Sequence, residues 1–218
     1  MNFQKVKAVI FDLDGTLLDT LADIGTGINK GLCRVGYEEH PIRSYRQRIG
    51  KGIKNAVRMS LPETATEEQY EEVLNFYLSY YPEHCMEKTD YFPGVKEFLN
   101  AMVQKGMKMA VISNKTESMA QKIIAHYFSE YTWEFVWGRA DSRPLKPAKE
   151  AGILACEALG LQPEEVLFVG DGDADMEFAS TMGFIGAGVT WGNRDPEQLL
   201  AAGADFLVNS WEELLAKF

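Results

Sequence analysis

The apolar stretch over residues 6–11, rich in β-branched side chains, stops abruptly at Asp12-Leu13-Asp14-Gly15-Thr16. Runs of this kind read as buried strands. On a strand, side chains two residues apart share a face, so Asp12 and Asp14 are expected to converge on one spot where the strand runs out. Two carboxylates there repel each other unless a cation or a shared proton compensates them. Two readings are open: a site for a hard cation with oxygen ligands, or a polar strand end closed by an Asp-Gly turn.

The next seventy or so residues differ in character from the rest of the chain. Leu21, Ile24, Ile28, Leu32 and Val35 recur at helical spacing before Gly36, which predicts a helix over 20–35. Gly25, Gly27 and Gly31 weaken that helix, so tertiary packing must support it. Thr66 and Gln69 form a capping box ahead of a second helix, whose apolar face is Tyr70, Val73, Leu74, Tyr77, Leu78 and Tyr81. Between the two, residues 41–62 carry Arg43, Arg46, Arg48, Lys51, Lys54 and Arg58 without one acid, around the flexible Ile49-Gly50-Lys51-Gly52. No segment between Leu21 and Asp90 has strand character, and the stretch reads as an all-helical module.

Beyond it, helix and strand alternate. Helices are expected over 93–102, 117–128 and 147–159, and strands over 108–113, 135–137, 166–169, 184–190 and 206–208. Asp195-Pro196, and Ser210 with Glu213, are good helix starts. Alternation of this kind implies an α/β fold, a Rossmann-like parallel sheet with helices on both faces. The expected organisation is a core made of residues 1–16 and 90–218, interrupted by a helical insertion over 17–89.

Charge and cysteine content narrow the function. Lys and Arg number 22 against 32 Asp and Glu, a net charge of −10, which disfavours nucleic acid as a general partner. No run of about 18 apolar residues is present, and no basic segment leads into an apolar one, so no membrane association is expected. Cys33, Cys85 and Cys156 are scattered and odd in number. They read as free thiols, mostly core filler, in a reducing, cytoplasmic setting.

In parallel sheets of this type, ligands bind outside the carboxyl ends of the strands, and polar chemistry collects at those ends here. Ser113-Asn114-Lys115 follows one strand, a hydroxyl and an amide suited to phosphate oxygens. Lys146-Pro147 precedes a helix start, and Gly170-Asp171-Gly172-Asp173-Ala174-Asp175 follows the strongest apolar strand. The three alternating aspartates are not an EF-hand loop, because Met176 and Met182 stand where that loop needs Gly and Glu.

Together, Asp12-Leu13-Asp14-Gly15-Thr16, Ser113-Asn114, Lys146-Pro147, and Gly170-Asp171 with Asp175 resemble, in order and spacing, the four motifs of the haloacid dehalogenase superfamily of aspartate-nucleophile phosphatases. The resemblance spans the chain, with 17–89 matching a helical cap and Thr190-Trp191-Gly192 a late motif. Leu21-Ala22-Asp23-Ile24, Ile49-Gly50-Lys51-Gly52 and Phe92-Pro93-Gly94-Val95 look most like phosphoglycolate phosphatases. The resemblance implies that Asp12 attacks phosphorus, forming an aspartyl-phosphate, and that Asp14 protonates the leaving alkoxide. It implies Mg2+ held by Asp12, the backbone carbonyl of Asp14, and Asp171. Ser113, Asn114 and Lys146 would hold phosphate oxygens. Asp175 would orient the metal site and Lys146, and Thr16 would position Asp14.

The substrate so implied is a small phosphorylated metabolite such as 2-phosphoglycolate. Lys51, free to approach between Gly50 and Gly52, is expected to reach its carboxylate end. Asp173 departs from the pattern, either crowding the metal or facing solvent. A phosphomutase resembling β-phosphoglucomutase is the alternative on the same fold, although Thr16 favours hydrolysis over the valine common in mutases. A non-enzymatic regulatory protein is the other alternative. Nothing in the sequence speaks to oligomeric state.

Overall fold

The computed structural model describes residues 3–218; the first two residues of the expected 1–16 segment lie outside the described residues. Strand β1 (Ala8–Phe11) is buried along its whole length. It pairs in parallel with β4 (Lys108–Thr116) on one side and β6 (Val166–Gly170) on the other. Strand β5 (Val136–Arg139) extends the sheet beyond β4, while β7 (Ile185–Val189) and β8 (Phe206–Val208) extend it beyond β6. The result is a six-stranded parallel sheet of order β5-β4-β1-β6-β7-β8.

Burial on both faces explains why β1 has no polar alternation. Val9 and Phe11 belong to one apolar cluster, Ala8 and Ile10 to another. The first cluster receives α4 (Val95–Gln104), α5 (Glu117–Tyr127) and α9 (Trp211–Leu215). The second receives α6 (Glu150–Leu159) and α7 (Asp173–Met182). Helix α8 (Pro196–Ala201) starts at a capping box of Asp195 and Gln198. The α/β architecture read from the sequence is the one observed.

Between β2 (Leu18–Asp19) and β3 (Asp90–Tyr91), which pair antiparallel, every regular element is helical. These are α1 (Leu21–Arg34), a 3₁₀ segment Ile42–Gln47, α2 (Ile53–Ser60) and α3 (Glu67–His84). The capping box of Thr66 and Gln69 starts α3 as expected. Ile24, Ile28, Tyr45 and Val73 belong to the same apolar cluster as Phe11, so the helical segment shares one apolar core with that face of the sheet.

The glycines of α1 serve that packing. A Cβ on Gly25 would lie 2.8 Å from the Tyr45 ring, one on Gly27 3.0 Å from Tyr77, and one on Gly31 3.0 Å from Val73. Their helix-weakening effect is offset by close approach to α3 and to Tyr45.

Four expectations need correction. Strand β4 runs through Thr116, three residues past the expected end. Its pairing with β5 is irregular between Ile112 and Thr116, and this break re-aims Ser113 and Asn114 without ending the strand. Helix α6 starts at Glu150, leaving 147–149 outside the helix, and α4 starts at Val95 because Gly94 is left-handed. Of the cysteines only Cys85 is buried, whereas Cys33 is exposed on the outer side of α1. Among the described residues, no helix is long and apolar enough to cross a membrane.

Helix propensity alone favours alanine over glycine by about 1 kcal/mol, but overpacking costs about 1–3 kcal/mol. Tyr45 cannot yield easily, being fully buried with its hydroxyl donating to Asn29 Oδ1 at 2.6 Å. Gly25→Ala should therefore lose up to about 2 kcal/mol net, read as a lower urea midpoint at unchanged slope.

Candidate active site

Sheet register gathers the polar residues. Phe11 is level with Val111 on β4 and Val169 on β6, so Asp12, Ile112 and Gly170 reach the carboxyl edge together. The Asp12 amide continues the ladder by donating to the Val169 carbonyl at 2.9 Å. The chain then folds back, with the Leu13 carbonyl accepting from the amides of Leu17 and Leu18. Gly15 takes the left-handed φ of 88° at this turn. A Cβ there would fall 2.2 Å from Asp171, so no other residue allows the approach.

Three carboxylates and one ammonium form the floor. Lys146, 4% exposed, donates from Nζ to Asp12 Oδ1 at 2.7 Å, to Asp175 Oδ1 at 2.8 Å and to the Ile112 carbonyl at 2.6 Å. Asp175 also accepts from the Gly172 amide at 2.9 Å, capping α7. Asp171 accepts from the Asn193 amide at 2.7 Å, from Asn193 Nδ2 at 2.8 Å and from Thr16 Oγ1 at 3.1 Å. Thr16 therefore orients Asp171, not Asp14 as expected, because the turn points its hydroxyl toward β6.

Asp12 and Asp14 line one cavity but are compensated separately. Asp14 pairs with Lys115 Nζ at 3.0 Å and accepts from Thr20 Oγ1 at 2.7 Å. Lys115 is almost fully buried and also donates to the Tyr81 hydroxyl of α3 at 3.1 Å. The motif resemblance assigns no role to Lys115, although its position directly after Ser113-Asn114 is a signal for one. Ser113 is buried and lines the cavity. Asn114, expected on phosphate oxygens, is engaged elsewhere. Its Oδ1 accepts from the Lys146 amide at 2.7 Å, and its Nδ2 donates to the Gly50 carbonyl at 2.8 Å.

Lys51 also lies differently from expectation. It lines the cavity, but its ammonium sits 2.6 Å from Asp173. Asp173 is shared with Arg194, whose Nε donates to it at 3.2 Å. Arg194, 5% exposed, continues into the helical segment, donating from Nη2 to the Ile49 carbonyl at 2.9 Å and from Nη1 to the Arg46 carbonyl. Arg46 returns a bond to the Gly192 carbonyl. The extra carboxylate thus neither crowds the floor nor faces solvent alone; it holds the segment to the core. Nothing in the sequence marks Arg194, because besides Asp173 its partners are backbone carbonyls far away in the chain.

Electrostatics identify what the floor lacks. Burial pushes the Asp12 carboxyl up to about 8, against the pull of Lys146 and with Asp175, Asp171 and Asp14 adding to it. Burial and Asp175 push Asp171 up to about 7, against the bonds from Asn193 and Thr16. Burial works against the Lys146 ammonium, yet Asp12 and Asp175 outweigh it and hold its pKa above the ordinary lysine value. One ammonium does not balance three acids. Among the described residues, Asp12, Asp171 and Asp175 can each place a carboxylate oxygen within 4.8 Å of the others. An all-carboxylate donor set fits a hard divalent cation such as Mg2+.

Because ligation needs the carboxylates ionised, and both acids hold protons below about 7 to 8, cation binding must expel protons near neutrality. Adding Mg2+ to the metal-free protein at pH 7 should release about one proton per ion, with affinity rising between pH 6 and 8. Calorimetry in buffers of different ionisation enthalpy reads this directly. Binding without proton release would contradict it.

Comparison with known proteins agrees with this geometry. The family model of the haloacid dehalogenase-like hydrolases matches residues 9–189. A phosphoglycolate phosphatase of Nitrosospira multiformis is 34% identical over 215 residues, covering 95% of this chain and 93% of its own. An N-acetylmuramic acid 6-phosphate phosphatase of Pseudomonas aeruginosa is 32% identical over 219 residues, covering 99% and 96%. The crystal structure of a candidate phosphoglycolate phosphatase from Lactobacillus delbrueckii superposes with a TM-score of 0.91 at 28% identity, covering 98% and 97%.

Proposed function

The chain belongs to the haloacid dehalogenase-like hydrolases, and within that family we propose that it hydrolyses small phosphomonoesters through an aspartyl-phosphate on Asp12, with Mg2+. The observation that carries this reading is the Asp12 carboxylate, held 2.7 Å from Lys146 Nζ at the open edge of the sheet beside Asp171 and Asp175. 2-Phosphoglycolate is the first substrate to test, since relatives over most of the chain carry that name.

Phosphomonoester hydrolysis is among the slowest uncatalysed reactions, so the site needs both a nucleophile and charge compensation. Asp12 attacks phosphorus, and its second oxygen stays on Lys146, which fixes the angle of approach. Asp14, on the leaving-group side and fixed by Thr20 and Lys115, gives its proton to the departing alkoxide. It then takes one from the water that cleaves the aspartyl-phosphate. Ser113 and Lys146 face the phosphoryl oxygens, where transition-state charge collects. Asp12, Asp171 and the backbone carbonyl of Asp14 would hold Mg2+, which would supply the charge that offsets repulsion between the phosphate and the carboxylate floor. Asp175 keeps Lys146 in place. Residues 17–89 act as the cap over a core of 1–16 and 90–218, closing the site from water.

Asp12→Asn should abolish turnover of p-nitrophenyl phosphate, while the wild-type rate should vanish in chelator and return with Mg2+. Asp14→Asn should slow an alkyl phosphate by ~10²–10⁴ and leave phosphate binding largely intact. Steady-state kinetics on purified variants checks both. Near wild-type turnover by Asp12→Asn would sink the mechanism.

A further inference from the structure

The cavity over Asp12 measures ≈ 470 Å³. Pockets of about 300–1,000 Å³ usually take drug-sized ligands. A two-carbon acid with its phosphoryl group fills on the order of 150 Å³, about five waters' share of liquid volume. The spare room does not come from a raised cap. Asn114 holds the Gly50 carbonyl at 2.8 Å, Arg194 the Ile49 carbonyl at 2.9 Å, and Lys51 sits 2.6 Å from Asp173. The volume remains with cap and core in contact.

The buried and flanking cations of that space already have acidic partners. Lys51 is on Asp173, Lys115 on Asp14, and Lys146 on Asp12 and Asp175. Arg194, also in the lining, is buried on Asp173 and the Ile49 carbonyl; the remaining cations there, Lys54 and Arg139, are exposed, and a solvated charge adds little to the binding of a carboxylate. Above the charged floor the walls are apolar, formed by Ile53, Leu74, Tyr77, Leu78, Met119 and Leu145. Such walls favour a ligand that removes apolar surface from water and offer a carboxylate no new partner to replace its hydration.

We propose that the alcohol portion of the substrate is bulky and carries an apolar or ring face, making the preferred class a phosphomonoester of a ring-bearing alcohol, larger than 2-phosphoglycolate. The proposal rests on the phosphatase reading and narrows its substrate class. Discrimination then comes from how the walls fill, with the phosphoryl chemistry unchanged.

The experiment compares kcat/KM, with Mg2+ present, for cyclohexylmethyl phosphate, ethyl phosphate and 2-phosphoglycolate. The first two release alkoxides of similar basicity, so their ratio reports on the walls alone. The ring ester should exceed each of the others by about tenfold or more. Leu78→Trp, at a position 45% exposed where folding tolerates bulk, should lower the ring-to-ethyl ratio about fivefold by filling the space. A 2-phosphoglycolate value equal to or above that of the ring ester would overturn the proposal and leave the phosphatase reading standing. A ring preference indifferent to Leu78→Trp would overturn the assignment of these walls. Inertness toward all three esters and p-nitrophenyl phosphate would remove the phosphatase reading itself.

Discussion

Asp12, Asp171 and Asp175 sit buried around a single ammonium, that of Lys146, and this imbalance governs the rest of the structure. Desolvating three acids beside one cation is unfavourable unless hydrogen bonds and a further cation compensate. Each neighbouring element supplies part of that compensation. The α7 N-terminus takes Asp175 through the Gly172 amide, the turn after β1 gives Asp171 the Thr16 hydroxyl, and the loop after β7 gives it Asn193. What remains uncompensated is charge, and that is the requirement a divalent cation meets.

Such density of polar groups needs backbones to come unusually close. A Cβ on Gly170 would lie 2.5 Å from Asp175, and one on Gly192 would lie 2.2 Å from Asp171. These glycines, with Gly15, are the space into which the acids fit. Further out, the same economy of volume lets α1 lie against α3 through Gly27 and Gly31. The helical segment is then carried by one apolar cluster continuous with the sheet layer, while its polar edge is held by Arg194, Asp173 and Asn114. The carboxylate floor and the attachment of the helical segment are thereby linked: Asp171, Asp173 and Asp175 are alternate residues of one stretch, two facing the floor and the third facing the helical segment.

Sequence was enough for the α/β alternation, the helical character of the segment after the first motif, and the strand ends at which Asp12 and Asp171 stand. These are local properties: hydrophobic period, capping and turn residues are written in neighbours a few positions apart. The convergence of those residues resulted once a parallel sheet was inferred, because such a sheet places all its carboxyl ends on one edge. The partner that each polar group takes was settled only in the folded chain. Thr16 turned to Asp171 and left Asp14 to Thr20 and Lys115. Asn114 was drawn to Gly50 and the Lys146 backbone, Lys51 to Asp173, and Arg194 to carbonyls about 145 residues away in the chain. Hydrogen bonds and ion pairs of that kind depend on ångström-scale placement of side chains from separate elements. No periodicity in the sequence encodes it.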